Sequence, residues 1–184
     1  MEHSYLQSVI KQFQYYKSLA DKTIAQLNFE ELQKEFAPDS NSISIIVKHM
    51  TGNMLSRWTN FLTEDGEKPW RHRDTEFEDT YTSKEELSAA WENGWNCVFK
   101  ALETLKHEDL ERIVYIRNQG HTVTEAINRQ LAHYSYHVGQ IVFLGKLIKG
   151  SDWQSLSIPK GQSESYNRDK FSEEKGRRHF TDNN

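Results

Sequence analysis

The run TVTEAINRQLAHYSYHVGQIVFLGKLIKG, residues 122–150, decides the fold. It contains no proline, and Val123, Ile127, Leu131, Tyr134, Val138, Ile141, Gly145 and Ile148 recur at steps of three and four. That spacing lines them up along one face of an α-helix. Thr122 and Glu125 form a capping box, each side chain satisfying a backbone N–H at the helix start, and Gly150 is a natural stop. A single long amphipathic helix is predicted.

Working outward, three more segments carry one apolar stripe each. Leu6, Val9, Ile10, Phe13, Tyr16, Ala20, Ile24 and Leu27 form the first. Asn28 and Glu31 then offer a cap for a short helical turn before Pro38. Ile43, Ile46, Val47, Met50, Met54, Trp58 and Phe61 follow the N-cap candidates Asn41 and Ser42. Leu87, Trp91, Trp95, Val98, Leu102 and Leu105 follow a second capping box, Ser83 to Glu86. Four helices with one apolar face each must bury those faces together, so the fold class is all-α, an up-down four-helix bundle. Ile113-Val114-Tyr115-Ile116, with Asn118-Gln119-Gly120 directly after, predicts a short β-hairpin before the last helix. Residues 63–82 lose the periodicity and read as a long loop whose aromatics pack over something. Residues 1–150 therefore make the bundle. Residues 151–184 make an extended segment, against the bundle to residue 167, and then a loosely held tail.

Composition narrows the function. Hydrophobic residues are 36% and aromatics 12% of 184, enough for a buried core, while the mean hydropathy of -0.83 requires a charged exterior. The net charge of -4 has both signs interleaved, with no basic block to track phosphates, so nucleic acid is not an expected partner. No apolar run reaches the ~18–20 residues that cross a bilayer, so no membrane partner is expected either. Met1-Glu2-His3-Ser4-Tyr5 lacks the basic and apolar regions of a signal peptide. The single Cys97, read as a buried small hydrophobe, allows no internal disulfide, and a cytoplasmic location is expected.

Chemistry concentrates in His133 and His137. Four residues apart on a helix, they lie about 40° apart around its axis, one turn above the other, and both imidazoles can address one centre. His49 flanks the stripe of the second helix and supplies a third. Two readings stand here. In one, each ring is satisfied by ordinary hydrogen bonds; in the other, three neutral imidazoles share a divalent metal ion, which removes their mutual repulsion on protonation. Asn53 and Gln140 read either as plain helix-surface amides or as groups placed to orient an imidazole or meet a ligand. Arg57 and Arg129, one turn further along the same faces, read first as surface salt-bridge partners, with binding of a substrate carboxylate as the functional alternative. His72 and His121 have no partner at ligand spacing, and His3, His107 and His179 read as exposed polar residues.

The stretches 41–50 (NSISIIVKHM), 131–141 (LAHYSYHVGQI) and 156–161 (LSIPKG) resemble the DinB/YfiT-like superfamily, in particular its DUF1572 branch. The resemblance spans residues 1–167, and its most specific element is one His followed later by H-x-x-x-H-x-G-Q. It implies a four-helix bundle holding one divalent metal through His49, His133 and His137. Zn is the first expectation, with Ni or Fe as alternatives. Three protein ligands leave a position open for water or substrate, the form of a catalytic site. Thiol-dependent enzymes of the superfamily, such as bacillithiol transferases and mycothiol-dependent isomerases, imply transfer of a low-molecular-weight thiol to a small electrophile, the small-molecule substrate. Homodimerisation is a further implication. The alternative is a stress-related or ligand-binding module whose metal is structural or sensory.

Overall fold

Helix α1 spans Ser4–Ala25, and the capping box of Asn28 and Glu31 starts the single turn α2, Phe29–Leu32. Ser42 caps α3, Ile43–Trp58, by accepting from the N–H of Ile45 at 3.2 Å. Helix α4 covers Lys84–Thr104 and α5 covers Val123–Lys149, with the Thr122/Glu125 capping box closed in both directions. Gly150, at φ 54°, ends α5 in a conformation that side chains disfavour. These details come from a computed structural model that describes residues 4–182. The expectations for Met1, Glu2 and His3 lie outside those residues.

The helical bundle and its hairpin are as the sequence predicts. Helices α1 and α3 each pack on both α4 and α5. Tyr5 reaches Asn128 at one end of the bundle and Lys149 reaches Glu31 at the other, so α1 and α5 run parallel. His49 faces His137 while Asn53 bonds Tyr134, so α3 runs antiparallel to α5. Gly94 lies against Thr51 and Met54, and Cys97 against Thr59, so α3 and α4 are parallel neighbours. The chain thus goes up, down, down, up. The alternation is interrupted only between α3 and α4, where the connection 59–83 carries it back along the bundle.

One aromatic side chain from each long helix meets at the centre: Phe13, Trp58, Trp95 and Tyr134, all buried. Phe13 is 5.9–6.1 Å from the other three ring centroids, and Trp95 is 5.7 Å from Tyr134. Such pairs add to the area they bury, by about 0.5–1.5 kcal/mol each. The Trp58 indole N–H donates to the Tyr134 hydroxyl, which donates to the Asn53 amide oxygen, both at 3.0 Å, so those two tips are satisfied, while the buried Trp95 indole N–H has no hydrogen-bond partner among the described residues. At Gly145 a Cβ would sit 2.4 Å from the Thr23 methyl, so glycine sets the close approach of α1 and α5.

Four local expectations are corrected. In the cap of α4, Ser83 accepts from the Glu86 N–H, but the Glu86 carboxylate reaches back to the N–H and hydroxyl of Thr82, one residue beyond a capping box. The hairpin pairs β1, Ile113–Ile116, with β2, Gln119–Thr122, so Arg117 and Asn118 form the turn and Gly120 lies within a strand. Both turn residues have positive φ, and both N–H groups donate to the Asp65 carboxylate, which holds that conformation in place of a glycine. After residue 162 the chain forms an exposed helix α6, Ser163–Ser172, where an extended segment and loose tail were expected. Residues 179–182 then return to α1: His179 bonds Ser8, Lys11 pairs with Asp182, and Phe180 packs on Tyr15. Cys97 is only half-buried.

Candidate metal centre

Helix α3 has thirteen of its sixteen residues buried, more than one stripe accounts for, because the connection 59–83 covers its outer side. That cover is charged. Arg71 and Glu76, the latter in a 3-10 turn at Arg73–Phe77, are buried, and the guanidinium grips the carboxylate in two bonds of 2.7 and 2.8 Å. The second carboxylate oxygen meets Nδ1 of His49 at 2.9 Å. Burial opposes ionisation of Glu76, but the bonds from Arg71 and His49 outweigh it and hold its pKa below the usual carboxylate range. Glu76 therefore accepts the His49 Nδ1 proton, and in the neutral ring the lone pair is then on Nε2. Phe77 stacks on the same imidazole at 5.0 Å.

A glycine makes this arrangement possible. A Cβ at position 52 would lie 2.2 Å from Glu76 Oε1, so Gly52 opens the groove in α3 that admits the carboxylate. Glu76, Arg71 and Gly52 were not singled out from the sequence. Glu76 lies 27 positions from His49 in an aperiodic connection. A glycine inside a helical stripe is the one signal that was available.

On α5, Gln140 Oε1 meets Nδ1 of His137 at 2.8 Å and fixes that ring in the same sense as Glu76 fixes His49. Nε2 of His137 then faces Nε2 of His133 at 3.0 Å. Burial, the imidazoles of His137 and His49, and the guanidiniums of Arg57 and Arg71 push the His133 pKa down to about 3. Burial also lowers that of His137, against the raising effect of Gln140. Both rings are neutral donors at physiological pH.

The structure brings His49, His133 and His137 together, with one nitrogen from each ring within 4.8 Å of the others. The donor set fits a divalent metal of the zinc kind: three imidazoles, two of them oriented through Nδ1, and a 3.0 Å separation of the kind two ligands at about 2.0–2.1 Å from one ion produce. Among the described residues no carboxylate or thiol joins the group.

The remaining candidates surround a cleft of about 240 Å³ that opens on His49 and His133. Asn53 lines it, although its amide oxygen is engaged by Tyr134 and not by an imidazole. Arg57 lines it from the buried side, holding the carbonyl of Gly66 and the carboxylate of Glu67. Arg129 is exposed at its rim and contacts His121 at 3.3 Å. Arg71, Arg73 and Arg117 line it as well. His72 and His107 are exposed, and the half-buried His179 belongs to the terminal contact with α1.

Among the described residues no helix is long and apolar enough to cross a membrane. A family model described as a protein of unknown function, DUF1572, matches residues 1–162. No curated protein matches the chain, and no solved structure does.

Proposed function

We propose that this chain, which belongs to the DUF1572 family, binds one divalent metal ion through His49, His133 and His137 and uses it on a small molecule. The observation that carries the reading is the convergence of three imidazole nitrogens from α3 and α5, two of whose rings, His49 and His133, line a cleft. Zinc is the first choice of metal, with nickel or iron as alternatives. Such an ion supplies Lewis acidity and lowers the pKa of a water or thiol that fills its free position.

The protein's own residues do the positioning. Glu76 and Gln140 hold two Nδ1 atoms, so His49 and His137 cannot rotate or change tautomer without losing a bond. Phe77 covers the His49 ring on the connection side. The cleft over His49 and His133 is the route by which a substrate arrives. Cys97 contacts Thr59, away from this cleft, so any thiol that reacts there comes from outside the chain. That supports the thiol-transfer reading drawn from the superfamily: a low-molecular-weight thiol joined to a small electrophile in the cytoplasm. A homodimer is the assembly proposed with it.

Metal analysis of tag-free protein tests the centre. About one equivalent of metal per chain is expected, with loss in His49→Ala and in His137→Ala. Conjugation of a model electrophile with a panel of small thiols, followed by mass spectrometry with and without zinc, tests the activity. Stoichiometric metal without any thiol-dependent turnover would leave a binding protein and remove the transferase.

A further inference from the structure

The rim of the cleft carries more positive charge than the fold uses. Arg57 and Arg71 are interior, and their bonds to Gly66, Glu67 and Glu76 are structural. The other three guanidiniums arrive from three separate elements: Arg73 from the 3-10 turn, Arg117 from the hairpin tip and Arg129 from α5. Arg117 is only shared onto Glu67, at 3.3 Å, a carboxylate that already serves Arg57 and Arg71. Arg73 lies over the Phe77 ring and Arg129 on His121; neither has a carboxylate partner among the described residues.

Five guanidiniums thus share three nearby carboxylates, Glu67, Glu76 and Asp65, and none of the three lines the cleft. Two positive charges remain in excess on a chain whose net charge is -4. Converging like charges repel, and three imidazoles would leave a bound divalent ion its full charge beneath them. The buried Gln130, on the same lining, has an amide oxygen with no hydrogen-bond partner, an acceptor left for a donor to reach.

We infer that the ligand of this cleft is a small polyanion, carrying at least two negative charges on phosphate or carboxylate groups, gripped by Arg73, Arg117 and Arg129. A hydroxyl or amine on the same molecule donates to Gln130. Guanidiniums are suited to both anions through paired N–H donors, and a space of about 240 Å³ admits a metabolite-sized molecule and not a polymer. The inference rests on the reading of this cleft as the working site, and it supplies what that reading lacks, the substrate class.

Calorimetric titration of the full chain, metal-free and zinc-loaded, at low ionic strength tests it. Glycerol phosphate and succinate are the two anionic probes, and glycerol is the neutral control. At least one anion is expected to bind one to one and glycerol not to bind; which anion binds separates phosphate from carboxylate recognition. Arg73→Gln and Arg129→Gln should each weaken Kd by about tenfold while zinc stoichiometry stays that of the unaltered protein. Binding that survives both substitutions, or zinc uptake with no binding of either anion, overturns the inference. Arginine-dependent anion binding in a protein that takes up no zinc would uphold it and remove the metal centre instead.

Discussion

At position 52 a helix propensity and a functional contact pull in opposite directions. Alanine in place of a mid-helix glycine ordinarily stabilises by about 1 kcal/mol. Here the added methyl would meet Glu76 Oε1 at 2.2 Å, and that carboxylate cannot step aside without breaking bonds to Arg71 and His49. Gly52→Ala is therefore expected to displace Glu76 and free the His49 ring. Zinc affinity, measured by competition with a chelating dye, should fall roughly tenfold, the lower end of what loss of an orienting carboxylate costs. An unchanged affinity would mean that Glu76 neutralises Arg71 and does nothing for the imidazole. At this scale the sequence exposed the His133 and His137 pair through helical spacing, and Gln140 one turn beyond. Glu76 escaped because helix periodicity says nothing about which loop residue folds back onto a helix.

Among the elements, the hairpin depends on one side chain outside it. Asp65 accepts from the N–H groups of Arg117, Asn118 and Glu67 at 2.7–2.9 Å. Burial is the largest single influence and raises its pKa, but the three bonds together, with the charge of Arg57, outweigh it and hold it below the usual carboxylate value. Asp65→Ala should cost about 1 kcal/mol in urea unfolding at pH 7 and speed amide exchange at Arg117 and Asn118. The sign with pH follows from the depressed pKa. The contribution is complete above the unfolded value of about 3.9 and is lost as pH falls through the lower folded value. Variant and parent should therefore converge in strong acid; a gap that persists there would point to packing and not charge. Helix starts were legible because caps are local chemistry, as at Ser42 and at Thr122 with Glu125. The turn at Arg117 and Asn118 was not, since its positive φ angles are imposed by a residue about fifty positions earlier. Helix α6 was not either, because it buries nothing and leaves no apolar stripe to read.

Across the whole molecule, each stripe announced a helix but none announced its direction, and the parallel packing of α3 and α4 emerges only from tertiary contacts such as Gly94 on Thr51. The junction of Phe13 with Trp58, Trp95 and Tyr134 joins all four helices, so Phe13→Ala should cost about 3–5 kcal/mol in urea unfolding. A cost below 1 kcal/mol would show that the junction collapses around the lost ring. The proposed metal couples the same elements differently. Its ligands lie on α3 and α5, which run antiparallel, so an ion bound there stabilises the folded chain and has no comparable site in the unfolded one. At a free zinc concentration a hundredfold above Kd, the gain is about 2.7 kcal/mol. For a chain of this size that corresponds to a Tm rise of roughly 5–10 °C. His137→Ala should abolish the rise, and Arg129→Gln, which leaves the imidazoles intact, should retain it. An equal rise in the His137 variant would place the ion elsewhere on the surface, since loss of one of three ligands cannot leave the same differential affinity for the folded state.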